Sequence, residues 1–264
     1  HMPGRATITF HPHFYPTDSL TLDAKGFDIH RIEIVTPKGN KPLIYSYKDS
    51  AFLKITLDTT YTRNDNYTIL IDYTAKPNER KTKGSAAITD SKGLYFINPE
   101  GEEKGKPTQI WTQGETENNS AWFPTIDKPN MKTTIEIFMK VDTQYVTLSN
   151  GLLLGSKNNN DGTRTDHWKL DQPIAPYLVM MAVGKFSVVK DKWRNMQVDY
   201  YVEPEYAPYA KEIFGNTPKM LEFYSQILGV DYVWPKFSQI VVRDFVSGAM
   251  ENVTASVFYE RMHL

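Results

Sequence analysis

Cysteine is absent from the 264 residues. That excludes disulfides and thiolate-bound metal. It leaves the compartment open, because exported proteins can also lack cysteine. Neither sign of charge dominates: 30 Lys and Arg stand against 31 Asp and Glu. A general binder of nucleic acid or anionic membrane carries a basic excess, so no nucleic-acid partner is expected. Long apolar runs are missing too. None approaches the roughly 18 residues of a membrane-crossing helix. No basic-then-apolar leader opens the chain, and there are no repeats or low-complexity tracts. What is present is a 40% apolar and 13% aromatic composition. That suffices for one large domain or two modest ones. The opening His1-Met2 reads as an expression-vector scar, so the natural start is expected upstream.

Up to about residue 190 the texture is that of strands. "RATITFHPH", "FDIHRIEIVT", "PLIYSYKD", "AFLKITLD" and "YTILIDYTA" are short, β-branched and aromatic, and often alternate in polarity. Gly, Pro, Asn and Asp punctuate them. "TTIEIFMKV", "YVTLSN" and "TDHWKLD" continue the pattern, with "NNNDG" as a turn. The longer "YLVMMAVGKFSVV" predicts one strand buried on both faces.

Beyond residue 200 the period changes. "PEYAPYAKEIFGNTPKMLEFYSQILGV" has helical spacing. Thr217 is expected to cap a helix with Pro218 in its first turn. Leu221, Tyr224 and Leu228 are expected on one face, and Gly229 at its end. "FSQIVVRDF" reads as a strand, "VSGAMEN" as a turn or loop, and "VTASVFYE" as another strand. The boundary is expected near residues 190–195, giving a β domain over 1–192 and an αβ piece over 193–264.

Two stretches invite chemistry. "WTQGETENNSAWFPTIDKPN" is strand-poor and lies between β segments, where loops on a rigid sheet often bind ligands. If it is extended, Gln113 and Glu115 point to one side. Read alone, it is equally a polar loop with solvated Glu residues. In "GAMEN", the small Gly248 and Ala249 let another backbone approach, and an exposed edge there would pair with an extended peptide. Read alone, it is equally a tight turn with a surface Glu. His11 and His13, in "HPH", are a weak metal signal and read as strand histidines without a ligand role.

Together the stretches resemble the zinc aminopeptidases of the membrane-alanyl-aminopeptidase type. That family carries a TQxE-like loop followed by P-x-x-D-x-P, and G-x-M-E-N about 130 residues later. "IAPYLVMMAVGKF" resembles its strand closing the β domain. The resemblance implies a mainly β N-terminal domain of saddle-like antiparallel sheets. The α+β start of a thermolysin-like catalytic domain would follow. It implies that Glu251 and Glu115 bind the free α-ammonium of a peptide substrate, and that Gln113 lines the pocket for the first side chain. Gly248 and Ala249 would offer backbone groups to an extended substrate. Met250 belongs to the same binding set, and Asn252 would support the strand. The chemistry agrees: a desolvated ammonium needs opposite charge and acceptors. The sequence departs from the family at Ser120, where many members have Arg, so an ion pair is either lost or supplied elsewhere.

The family's Zn2+ site is H-E-x-x-H plus a later Glu, the intervening Glu serving as general base. The histidines here are 1, 11, 13, 30, 167 and 263, and none is followed by Glu. The resemblance therefore implies a truncated part of the enzyme, clipped at both ends. It would lack the remainder of the catalytic domain, any catalytic residue and bound zinc. Two rivals stay open: a module that grips peptide or carbohydrate without turnover, and a bifunctional relative that opens a lipid epoxide.

Overall fold

A computed structural model describes residues 1–263. The chain begins with β1 (Met2–Phe10), β2 (Thr17–Asp23), β3 (Phe27–Val35), β4 (Lys41–Pro42), β5 (Ile44–Ser46), β6 (Phe52–Tyr61) and β7 (Tyr67–Ala75). A middle block holds β8 (Leu94–Ile97), β9 (Gln109–Thr112), β10 (Thr133–Asp142), β11 (Val146–Ser149), β12 (Leu152–Asn158), β13 (Thr163–Ile174) and β14 (Met181–Gly184). Then come β15 (Ser187–Trp193), β16 (Met196–Val202), α1 (Ala210–Phe214), α2 (Thr217–Leu228), β17 (Lys236–Val242), β18 (Ala249–Met250) and β19 (Ala255–Tyr259).

The first block makes two antiparallel sheets, β1-β7-β3-β4 and β2-β6-β5. Period-two alternation sends Ile32, Ile34, Ile69 and Ile71 of one sheet against Leu22, Leu53 and Ile55 of the other. The middle block makes sheets β11-β14-β9-β8 and β10-β13-β12, again antiparallel. The last sheet is mixed. β15 and β16 form an antiparallel pair, β16, β17 and β19 run parallel, and β18 is an antiparallel edge. Parallel strands need a crossover, and α1 and α2 supply it between β16 and β17. One face of this sheet packs Val198, Tyr200, Val202 and Val241 under Phe214 and Leu221 of the helices. The other packs Ile240, Val242 and Val257 onto Trp111, Leu148 and Trp168 of the β blocks. The sheet takes in β15 (Ser187–Trp193), which runs into the expected boundary, and β16 (Met196–Val202) beyond it.

The fold corrects several local readings. "YLVMMAVGKFSVV" is two strands in different sheets, because the chain turns at Gly184. A Cβ on Gly184 would lie 2.7 Å from the Phe186 ring, which folds back over it. "PLIYSYKD" likewise splits at the buried Leu43, β4 pairing with β3 and β5 with β6. β1 ends at Phe10, so His11 and His13 are not strand residues. Helix α2 begins at Thr217 after an Asn216 cap, and the Thr217 hydroxyl donates to Gln239 Oε1 at 2.6 Å instead of capping. Its buried face is Thr217, Leu221 and Ser225. Leu221 is buried, while Tyr224 and Leu228 are 58% and 68% exposed, so the apolar stripe runs on into solvent. Gly229 ends the helix at φ 67°, as its sequence position suggests.

Candidate functional site

β9 delivers the first stretch. Its last backbone bond continues into Gln113, whose N–H donates to the Gly93 carbonyl at 2.9 Å. The Gln113 side chain is 1% exposed, and neither amide atom has a hydrogen-bond partner. Buried amides are normally paired, and among the described residues this one is not. Glu115 begins a turn rather than extending the strand, and Asn118 Nδ2 donates to its carbonyl at 2.7 Å. It is half-buried, so Gln113 and Glu115 do not share one environment as strict alternation predicts. Gly114 between them is demanded by close approach. A Cβ there would sit 2.3 Å from the Tyr177 carbonyl and 2.5 Å from Asn119 Nδ2.

Ser120 is buried, and its N–H donates to Asp127 Oδ2 at 2.9 Å. Burial pushes the Asp127 carboxyl up, while the field of Lys25 opposes it. Burial in turn pushes Lys25 down. Its Nζ donates to the Glu117 carbonyl. Lys25, in the turn after β2, thus places a cation within the field of Asp127, while its Nζ is bonded to a backbone carbonyl.

β17 and β19 deliver the second stretch. β18 pairs only with β19, Ala249 against Phe258 and Met250 against Val257. "GAMEN" is therefore a short strand at a sheet edge rather than a loop alone. Gly248, Ala249 and Glu251 are exposed, and Met250 is buried in the core with Trp111 and Phe245. Asn252 is 2% exposed and donates to the Leu178 carbonyl at 3.3 Å, with its Oδ1 unpartnered.

The segment 175–180 lies between the stretches and binds both. Asn119 Nδ2 donates to the Pro176 and Val179 carbonyls at 2.6 and 2.8 Å, and Trp122 Nε1 donates to Asn119 Oδ1 at 2.7 Å. Asn150 Nδ2 donates to the Leu178 and Val253 carbonyls at 2.9 and 2.7 Å. Behind this, Trp111 Nε1 donates to the Arg243 carbonyl at 3.0 Å and Gln109 Oε1 accepts from Arg243 N at 2.9 Å. Arg243 pairs through two bonds, of 2.6 and 2.8 Å, with the buried Glu203, which pushes the guanidinium pKa up. Sequence reasoning missed Asn119, Asn150 and Arg243. The only signal was the Asn-Gly turn at 150–151.

Among the described residues no group of three or more His, Asp or Glu is placed to hold a metal ion. The residues present do not fit the zinc that the resemblance implies. One surface cleft runs along the β15–β16 hairpin and another lies between Lys25 and Lys81.

Residues 1–178 match the Peptidase M1 N-terminal domain, and residues 212–264 match the Peptidase family M1 domain. The chain belongs to the peptidase M1 family. Its M1 relatives include endoplasmic reticulum aminopeptidase 1 of Mus musculus, 29% identical over 195 residues, which cover 74% of this chain and 20% of that protein. Mitochondrial aminopeptidase 2 of Saccharomyces cerevisiae is 28% identical over 256 residues, 89% of this chain and 24% of its own length. Transcription initiation factor TFIID subunit 2 of Danio rerio is 26% identical over 169 residues, 63% of this chain and 14% of that protein. The chain thus spans about a fifth of the length of the aminopeptidases it resembles. Its mainly β architecture, followed by α2 within the M1 domain match, is the fold that the resemblance implies.

Proposed function

We propose that this chain is the part of a zinc aminopeptidase that grips the free N-terminus of a peptide substrate. Residues 1–192 are its β domain and 193–264 the opening of its catalytic domain. The family matches leave residues 179–211 between them, and a division within that stretch is compatible with both. Glu251 and Glu115 bind the α-ammonium. Gln113 faces the first side chain. Gly248 and Ala249 pair their backbone with the extended substrate, while Met250 and Asn252 hold the strand from behind.

Two observations support this reading: β18 has no second strand neighbour among the described residues, and the buried Gln113 amide has no partner. An edge takes up an extended peptide by main-chain bonds. A carboxylate beside it favours a substrate end over an internal segment, because only an end brings a cation. Zinc chemistry is expected in the complete protein. The 264 residues by themselves are expected to hold no zinc and to turn over no peptide.

The test is to offer the complete protein an aminoacyl anilide and its N-acetyl counterpart. Turnover of the unblocked compound alone, abolished by a chelator, is the expected result. Turnover of both defeats the N-terminus reading. Binding without turnover favours a non-catalytic homologue, a reading supported by the relative named as a transcription factor subunit.

A further inference from the structure

The turn between β11 and β12 is Ser149-Asn150-Gly151. All three residues are buried, and all three bind the other side of the molecule. The Ser149 carbonyl accepts Lys236 Nζ at 2.6 Å. Asn150 Nδ2 donates to the Val253 carbonyl at 2.7 Å, and Gly151 N–H donates to Thr254 Oγ1 at 2.8 Å. Thr254 is held at φ 68°, a left-handed conformation rare for a β-branched residue. Gly151, at φ 75°, leaves no room for a side chain: a Cβ would lie 1.8 Å from the Lys169 carbonyl.

Asn150 also looks the other way. Its Nδ2 donates to the Leu178 carbonyl at 2.9 Å, and its Oδ1 accepts Met180 N–H at 2.7 Å. That Leu178 carbonyl also accepts Asn252 Nδ2. One side chain therefore ties the segment contacted by Asn119 to the backbone immediately after Asn252. Glu251 itself is exposed and directly follows β18, a two-residue strand paired on one side only. With no packing on the carboxylate, the backbone on both sides of Glu251, β18 before it and residues 252–254 after it, sets where its side chain starts from.

We propose that Asn150 is a positioning residue for the N-terminus clamp, fixing residues 252–254 and through them the aim of Glu251. The proposal rests on the clamp reading given above. It predicts that loosening the turn impairs recognition of the α-ammonium selectively and leaves binding of the rest of a ligand in place.

The experiment uses the complete protein and two inhibitors, leucine hydroxamate and its des-amino analogue 4-methylpentanohydroxamate. The ratio of their inhibition constants isolates the ammonium. In Asn150→Ala the preference for the amine is expected to fall about tenfold or more, with the des-amino constant within about threefold of wild type. Thr254→Val, which removes only the acceptor for Gly151, is expected to lower the preference in the same direction. Glu251→Gln is the reference and is expected to lose the preference. If Glu251→Gln loses it while folded Asn150→Ala or Thr254→Val keeps the wild-type ratio, the positioning role is overturned and the clamp stands. If both constants rise together in the turn variants, the role is structural only and the proposal is again overturned. If Glu251→Gln keeps the preference, the clamp reading itself fails and the proposal falls with it.

Discussion

Lys236 and Ser149 meet where three sheets converge, the buried Nζ donating to the carbonyl at 2.6 Å across 87 positions of chain. The Trp168 ring centre lies 4.6 Å from the same nitrogen. β17, β11 and β13 are thereby joined at a point that water does not reach. The ammonium suffers for it: burial pushes the Lys236 pKa down to about 7, against the opposing field of Asp199.

The sign of the pH dependence follows. An unfolded lysine titrates near 10.5 and the folded one near 7. Between those values the unfolded chain holds a proton that the folded chain lacks, so this group makes stability rise with pH. Against Lys236→Met, the wild type is expected to gain between about pH 7 and 9, by at most about 1.4 kcal/mol per pH unit. Unfolding of both proteins across that range checks it. A constant difference would mean that Lys236 keeps its ordinary titration.

Glu115 and Glu251 are expected to act together on one ammonium. In the complete protein, Glu115→Gln or Glu251→Gln should lower kcat/KM for an unblocked dipeptide roughly thirtyfold or more, about 2–5 kcal/mol. Part of the loss should fall on kcat, because the ammonium also aligns the scissile bond. Steady-state kinetics with metal content measured alongside decides it. Values within about threefold of wild type for both variants would return these residues to the solvated surface.

Gln113 should trade stability for recognition. An unsatisfied buried polar group costs about 1–3 kcal/mol, and both amide atoms are in that state. Gln113→Leu, similar in size, is expected to raise the thermal midpoint of this chain and to weaken inhibition of the complete protein by an unblocked peptide. A lower midpoint would mean that the amide has a partner within the fold.

Gly114 should tolerate no side chain. The Tyr177 carbonyl and the Asn119 amide both lie within 2.5 Å of a Cβ built there, and Asn119 is held by its own three bonds. Gly114→Ala is expected to cost about 1–3 kcal/mol in denaturant unfolding through overpacking. Unchanged stability would show that the 113–119 loop yields freely.

Much of this was legible one element at a time. The alternation in "YTILIDYTA" matches β7, and Gly229 marks the end of α2. Stretches such as "YLVMMAVGKFSVV" were not, because apolarity carries no record of which sheet a strand joins. Which face of α2 turns inward was not legible either, for a related reason. Met220, Phe223, Tyr224, Ile227 and Leu228 are all large and apolar, yet exposed on the outer side. Thr217 and Ser225 face inward with Leu221.

Local order along the chain decided the strands, the helix end and the two motif stretches. These depend on spacing between near neighbours, which any reader of the residues can count. That both stretches abut the segment 175–180 depended on contacts 57 to 103 positions apart, from Asn119 to Pro176 and from Asn150 to Val253. No periodicity encodes such pairs. Asn119 and Asn150 look like ordinary turn residues until the sheets pack and bury their amides against specific carbonyls, and burial is what obliges those amides to find partners.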